Sequence, residues 1–568
     1  MLTLLLTLTL LSNAVTLRRD KSILFSRIVI SGLICTAYIS YSNLYVKALE
    51  SGIGLFGGLF NISTFTQTFN IFIFIISALI LTLTAFYPRK IYLTEHSSIS
   101  SLVRKKLSYN KFLISNKTGE QFRIIEYALI IVFIICGAVF LISTGDLISI
   151  FLSIELQSYG LYILSTLYRD SESSTGSGLT YFLLGGLSSC FILLGSALLY
   201  ANTGTTSLDN IYVIASISEI NEISNISYLY EPYYFYSALI IMIVGFLFKI
   251  SAAPFHFWSP DVYDGIPTIV TTYVAIVAKI SIFALFLELV YYTQYNIFSS
   301  SVAPEHQNIF IMSSLLSLFI GSVLGLTQFR IKRLFAYSTI SHVGFMLLAL
   351  SISSTESIQS YIFYILQYTI SNLNAFVILI TRGYTLYLYV YKEEQKEDLI
   401  DKKNSPIQLI SQIKGFFYIN PFIGVSLSIT LFSFVGIPPI AGFFAKQMIL
   451  SAALDRGYVF MSLIAILTSV VGAGYYLNVV KEIFFYKDNY KRNPAIDNLD
   501  LRGDISSNST SGMSSNIKPI DFKSENITIN SSLSVIISIL TLILVLFIYI
   551  PDEWFNIVSV LTLTIFRA

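Results

Sequence analysis

The chain has 568 residues, of which 54% are hydrophobic and only 12% charged, and its mean hydropathy is +0.71. Soluble domains carry about twice that charged fraction, so a string of water-exposed globular domains is excluded and a polytopic membrane protein is indicated. Thirty-five Lys and Arg against 33 Asp and Glu leave a net charge of +2, which gives no basis for a nucleic-acid partner.

Met1 leads directly into Leu2–Leu11 without a basic segment. Neither a secretory signal nor an Arg-rich transit peptide is expected, and the first helix is expected to be retained. Apolar runs of the ~20 residues a bilayer needs recur along the chain. They predict about fourteen transmembrane helices, near 2–17, 22–46, 66–87, 124–144, 147–168, 178–200, 236–258, 267–291, 307–328, 334–352, 359–383, 421–454, 457–486 and 532–550. The fold class expected is an all-α polytopic membrane protein, one helical membrane domain over 1–568. Within it the expected parts are an N-terminal three-helix part (1–123), a first repeat (124–291), a second repeat (307–486), a polar loop (487–530) and a C-terminal helix (531–568).

Lys and Arg concentrate after the odd spans: Arg18, Arg19 and Lys21, the cluster from Arg89 to Arg123, then Arg330, Lys332 and Arg333, Lys392 to Lys414, and Lys487 to Lys523. Segments after even spans are acidic, with Asp146, Asp209, Glu219, Glu222, Glu231, Glu305 and Glu356. The positive-inside rule then sets the odd-numbered loops inside and both termini outside. The stretches Lys392–Lys414 and Asp488–Asn530 read as solvated loops or surface helices.

Several motifs carry no cofactor. Cys35, Cys136 and Cys190 stand singly in apolar segments, so a disulfide, zinc or iron–sulfur site is not expected. Gly52-Ile53-Gly54-Leu55-Phe56-Gly57 fits G-x-G-x-x-G, but it follows a membrane span and lacks the strand–helix frame of a dinucleotide site. A Gly-rich turn outside the membrane is expected there.

Charges inside apolar spans carry the chemistry. Each costs roughly 2.5–3.5 kcal/mol at a helix centre and therefore marks a partner, a wet cavity or a function. Glu155 lies in the fifth span, Lys249 in the seventh, Lys279 in the eighth, His342 in the tenth and Lys446 in the twelfth. His256 reads as a packing residue and Glu288 as a residue near a span end. Pro254 follows Lys249 by five residues and Pro439 precedes Lys446 by seven, which breaks helices 7 and 12 beside their lysines. Broken helices in corresponding positions point to an ion pathway within inverted repeats. Spans 4–8 and 9–13 would be two five-helix repeats, the odd number inverting the second. Burial disfavours a charged ammonium and a nearby carboxylate favours it, so a Glu155–Lys249 pair can hold or release a proton. Permanently cationic lysines repel metal ions, which favours protons as the cargo.

Phe248-Lys249-Ile250-Ser251-Ala252-Ala253-Pro254-Phe255-His256-Phe257-Trp258, Glu155-Leu156-Gln157-Ser158-Tyr159, Arg333-Leu334-Phe335-Ala336-Tyr337-Ser338-Thr339-Ile340-Ser341-His342 and Gly436-Ile437-Pro438-Pro439-Ile440-Ala441-Gly442-Phe443-Phe444-Ala445-Lys446 resemble the antiporter-like membrane subunits of proton-pumping NADH:quinone oxidoreductase, respiratory complex I. The Glu-Leu-Gln and Ala-Ala-Pro-Phe-His forms, with Lys after the twelfth-span break, resemble the subunit-2 branch. The likeness covers about 124–486. It implies that Glu155 and Lys249 form a coupling pair, Lys279 the central relay, His342 the bridge and Lys446 the outlet-side site. It also implies that this chain binds no cofactor or metal. NADH, FMN, iron–sulfur clusters and ubiquinone would belong to the other membrane and peripheral-arm subunits, its partners together with lipids and protons. Forty-four Phe and 38 Tyr fit an AT-rich organelle gene. The expected location is then the mitochondrial inner membrane, with basic loops in the matrix and termini on the intermembrane-space side. Two other readings remain open: a free-standing cation/proton antiporter and a purely structural scaffold.

Overall fold

A computed structural model describes residues 1–15, 22–50, 52–84, 126–168, 171–214, 232–293, 305–386, 389–391, 405, 407–486, 490–492 and 532–567. The basic stretches at 16–21, 85–125, 392–404 and 493–531, and the acidic one at 215–231, lie outside them.

The first helices are α1 (Leu2–Val15), α2 (Ser22–Asn43) and α3 (Thr64–Thr84). Between α2 and α3, β1 (Ile53–Leu55) pairs antiparallel with β2 (Phe60–Ile62). Gly57 and Gly58 take positive φ at the turn, so the glycine motif is a hairpin, with no helix N-terminus to receive a phosphate. Next come α4 (Glu126–Ile142), α5 (Leu147–Thr166), α6 (Glu172–Thr203) and α7 (Pro232–Lys249). Asp146 caps α5, accepting from the Ile148 amide at 2.9 Å and the Thr206 hydroxyl at 2.8 Å. Acidity in that loop therefore serves a helix start.

After α7 the chain breaks and resumes as the short α8 (Trp258–Gly265). Helix α9 begins as Thr268–Thr272, widens to a π-helical Tyr273–Val277 and continues as Ala278–Thr293. Then follow α10 (Glu305–Gly325), α11 (Ile331–Ile352) and α12 (Thr355–Leu386). The twelfth predicted span is divided into α13 (Pro421–Val435) and α14 (Ala441–Asp455), joined by the Gly436–Ile440 break. Gly436 at φ +84° ends α13, as left-handed caps do. Helix α15 (Val459–Phe484) completes this half. Strands β3 (Tyr389–Tyr391) and β4 (Tyr490–Arg492) pair antiparallel.

The C-terminus departs from the expected single helix. Helix α16 (Ser532–Leu546) is followed by α17 (Pro551–Arg567), turned by 94°. Pro551 cannot continue the preceding ladder, and Asp552 and Glu553 sit in the first turn of α17, where they favour a helix N-terminus.

Among the described residues nine helices are long and apolar enough to cross a membrane, or ten if α16 and α17 count as one bent span. Four further apolar helices, including α1, α4 and α13, are shorter. Burial sorts the long ones. The spans in α9, α11 and α12 are each 89% buried inside the bundle, whereas α6 and α15 are 33% buried. The core of the molecule is thus the α9–α11–α12 layer, and α6 and α15 turn apolar faces outward. Two cross-links tie the break after α7 to the start of α11. Arg330 and Arg333 pair with Asp264, and Arg333 also pairs with Asp261 at 2.7 Å. Buried Lys332 donates to the Ile266 carbonyl at 2.7 Å and bonds the Ser405 hydroxyl.

Candidate proton-relay site

Lys249 is the last residue of α7 and its ammonium lies 3.3 Å from Glu155 Oε1 on α5, with side-chain exposures of 8% and 13%. It also donates to Ser158 Oγ at 2.8 Å. Helix α7 ends there because Pro254 cannot donate and Ser251 adopts φ +60°. Trp258 Nε1 takes up the Phe248 carbonyl at 2.9 Å, which satisfies one acceptor that the break exposes. A cavity of about 20 Å³, lined by Gln157, Ser158, Tyr162, Tyr181 and Lys249, adjoins the pair; that is room for one water molecule. Gln157 accepts from Ser281 at 3.1 Å, while its amide nitrogen is buried and unpaired.

Lys279, 2% exposed, follows the π-helical turn of α9. Its ammonium donates to Ser251 Oγ at 3.2 Å and Thr339 Oγ1 at 3.3 Å and lies 6.0 Å from the Tyr263 ring centre. These two hydroxyls, from the first break and from α11, are both neutral. Thr339 stands one turn before His342 on α11. His342 is buried, with Nδ1 2.6 Å from the Tyr364 hydroxyl of α12 and Nε2 3.5 Å from the Tyr476 hydroxyl of α15.

Lys446, on α14, reaches back across the second break. Its ammonium donates to the Phe434 and Val435 carbonyls at 2.8 and 2.9 Å, the free acceptors at the C-terminal end of α13. A cavity of about 10 Å³ lies between His342, Lys446, Ser341, Tyr475 and Tyr476. The second break is rigidly packed: a Cβ on Gly442 would stand 1.9 Å from the Ser433 carbonyl oxygen, and Gln367 and Ser371 of α12 bond the Ser433 hydroxyl at 2.8 and 3.1 Å.

The five charged or titrating residues singled out in the spans are thus buried or half-buried: Lys249, Lys279 and His342 contact hydroxyls, Glu155 pairs with Lys249, and Lys446 bonds backbone carbonyls. His256 lies elsewhere, with Nδ1 3.3 Å from the Pro254 carbonyl, and Glu288 is partly exposed on α9. The hydroxyl partners Ser158, Ser251 and Thr339 lie within the quoted motifs but carry no charge that would single them out. Tyr364 and Tyr476 lie outside those motifs; only their period on an apolar helix signals them.

The family model for the transmembrane part of NADH:quinone oxidoreductase and the Mrp antiporter matches residues 144–472. Chain 2 of NADH-ubiquinone oxidoreductase from Rhizopus oryzae is 44% identical over 553 residues, covering 96% of each chain. The Arabidopsis thaliana chain 2 is 36% identical over 366 residues, 64% of this chain and 66% of that one. Among solved structures, a chain of respiratory complex I from Thermus thermophilus superposes with a TM-score of 0.67 at 22% identity, covering 98% of this chain and 97% of that one, a likeness of fold.

Proposed function

The chain belongs to the NADH-ubiquinone oxidoreductase chain 2 family, and from that premise we propose how it works as an antiporter-like membrane subunit of complex I. It couples NADH:ubiquinone electron transfer, performed in other subunits, to proton translocation through its own bundle. Glu155 and Lys249 form the coupling pair, Lys279 the central relay, His342 the bridge and Lys446 the outlet-side station. NADH, FMN, iron–sulfur clusters and ubiquinone are held by partner subunits.

One observation carries this reading. Lys279 and His342 lie on α9 and α11, two of the most deeply buried helices, and Thr339, a hydroxyl partner of Lys279, stands one turn before His342 on α11. Burying an ammonium without a counter-charge is costly. Lys279, with hydroxyl partners in the first break and on α11, is therefore poised to lose or gain a proton rather than to hold a fixed ion pair. Opposite the metal-ion alternative stands the donor set: ammonium and hydroxyl groups repel or weakly bind cations that favour carboxylate and carbonyl cages.

The finer architecture belongs to the same proposal. Fourteen spans in two inverted five-helix repeats, 4–8 and 9–13, are supported by an apolar helix near each predicted span and by breaks at 250–257 and 436–440. The basic odd-numbered loops would face the matrix and both termini the intermembrane space, as the positive-inside rule requires. The segmentation into 1–123, 124–291, 307–486, 487–530 and 531–568 follows from those repeats.

Lys279→Met in the assembled complex tests the relay. NADH-driven proton uptake into vesicles is expected to collapse while the complex assembles normally. Unchanged pumping with normal assembly overturns the relay and leaves a structural scaffold.

A further inference from the structure

Tyr364, Tyr368 and Asn372 recur every fourth residue on α12 and so share one stripe of that helix. None is more than 2% exposed. The stripe faces α11: the Tyr364 hydroxyl contacts His342 Nδ1, and the Tyr368 ring centre lies 5.6 Å from that of His342. The Tyr368 hydroxyl neighbours Thr339, Asn372 and Tyr364, and Thr339 is the acceptor of the Lys279 ammonium. Yet neither the Tyr368 hydroxyl nor the Asn372 amide nitrogen is locked into a well-formed hydrogen bond. Tyr263 shares this state, but two other core tyrosines spend their hydroxyls. Tyr361, on the same helix, donates to the Phe283 carbonyl at 2.8 Å, and Tyr273 to the Ser77 carbonyl at 3.3 Å. A buried polar group without a partner in such a core needs a reason beyond packing.

We propose that the Tyr368 hydroxyl passes protons between the Lys279–Thr339 pair and His342 by way of Tyr364, with Asn372 orienting it. This rests on the relay reading above and adds a link to it. A phenol both donates and accepts and rotates freely about its C–O bond. In the step, the Tyr368 oxygen takes a proton from the Thr339 side as its own O–H bond breaks toward the Tyr364 oxygen. Tyr364 in turn delivers its proton to His342 Nδ1. One O–H bond forms on each phenol for the one that breaks, so both end neutral and no oxidant is involved. His342 can then release a proton from Nε2, on the side of Tyr476 and Lys446.

Tyr368→Phe removes one oxygen and keeps the ring against His342. The assembled complex in vesicles is assayed for NADH-driven proton uptake in H₂O and D₂O. The expected result is normal assembly, about tenfold slower proton uptake and a larger solvent isotope effect, consistent with losing a positioned proton-transfer group. Tyr361→Phe is expected to leave both readouts unchanged. If Tyr368→Phe pumps at the wild-type rate with the wild-type isotope effect while Lys279→Met stops pumping, the Tyr368 link is overturned and the relay stands. If Lys279→Met also pumps normally, the relay itself falls. Should Tyr368→Phe not assemble, Asn372→Leu reads the same stripe. It is expected to slow uptake about threefold with a raised isotope effect, and a wild-type isotope effect there overturns the proposal.

Discussion

Both broken spans free backbone carbonyls inside the bundle, and they dispose of them differently. At the first break the Trp258 indole takes the Phe248 carbonyl, which leaves Lys249 available to pair with Glu155. At the second, Lys446 is itself the cap, donating to the Phe434 and Val435 carbonyls. One ammonium is paired with a side-chain carboxyl on another helix. The other rests on the fixed dipoles of a helix C-terminus. The same residue type beside the same kind of helix break is thus tied to a side chain in one half and to the backbone in the other. On the proposed reading, the first end suits a coupling switch and the second a stationary relay.

The comparison can be broken in stages. The largest effect is expected from Glu155→Gln, which removes the carboxylate 3.3 Å from the Lys249 ammonium. Breaking a buried pair in this way costs about 3–5 kcal/mol when the remaining charge stays. Proton uptake driven by NADH should fall by more than tenfold, about the scale of one lost proton-transfer group; uptake at the wild-type rate would deny the pair its coupling role. Next, Lys446→Gln and Lys446→Met separate capping from charge. The amide can still donate to the two carbonyls, so the Gln variant should assemble normally and pump poorly. The Met variant should also lose thermal stability, by about 1–3 kcal/mol for each orphaned acceptor. Equal melting temperatures for the two would show that the cap contributes nothing.

Trp258→Phe sharpens the first break in the opposite sense. It leaves the Phe248 carbonyl with only the Ser251 amide as donor, so the complex should lose about 1 kcal/mol of stability with its proton-to-electron ratio unchanged; a changed ratio would mean that the indole also touches the relay. The smallest effect belongs to the edge of the bundle. Arg330, with its side chain 44% exposed, pairs with Asp264, and Arg330→Ala should cost no more than about 1 kcal/mol. That difference should shrink at high salt, as measured by thermal melts across ionic strength.

Charge placement made much of this site legible. Glu155, Lys249, Lys279, His342 and Lys446 stand out because ionisable groups are scarce in apolar helices, and Pro254 and Pro439 announce the breaks. The hydroxyls that connect them were not legible, because Ser, Thr and Tyr are common in this chain and cost little in a helix. Thr339 becomes meaningful only when α9 and α11 are packed together. The Tyr364–Tyr368–Asn372 period is visible in the sequence, but its facing partner is set by tertiary packing. The π-helical Tyr273–Val277 and the turn of α17 escaped a reading based on hydropathy, which registers apolar length and is blind to helical pitch and to bends. The twelfth span, 421–454, reads as a broken helix, and the break falls at 436–440, between α13 and α14.

The glycine at 442 has a mechanical meaning. With the Ser433 carbonyl oxygen 1.9 Å from where a methyl group would stand, the start of α14 is clasped against the end of α13 with no slack between them. Close-packed interiors do not deform gradually under such contact. Any side chain larger than hydrogen at 442 would have to push the start of α14 away from the end of α13.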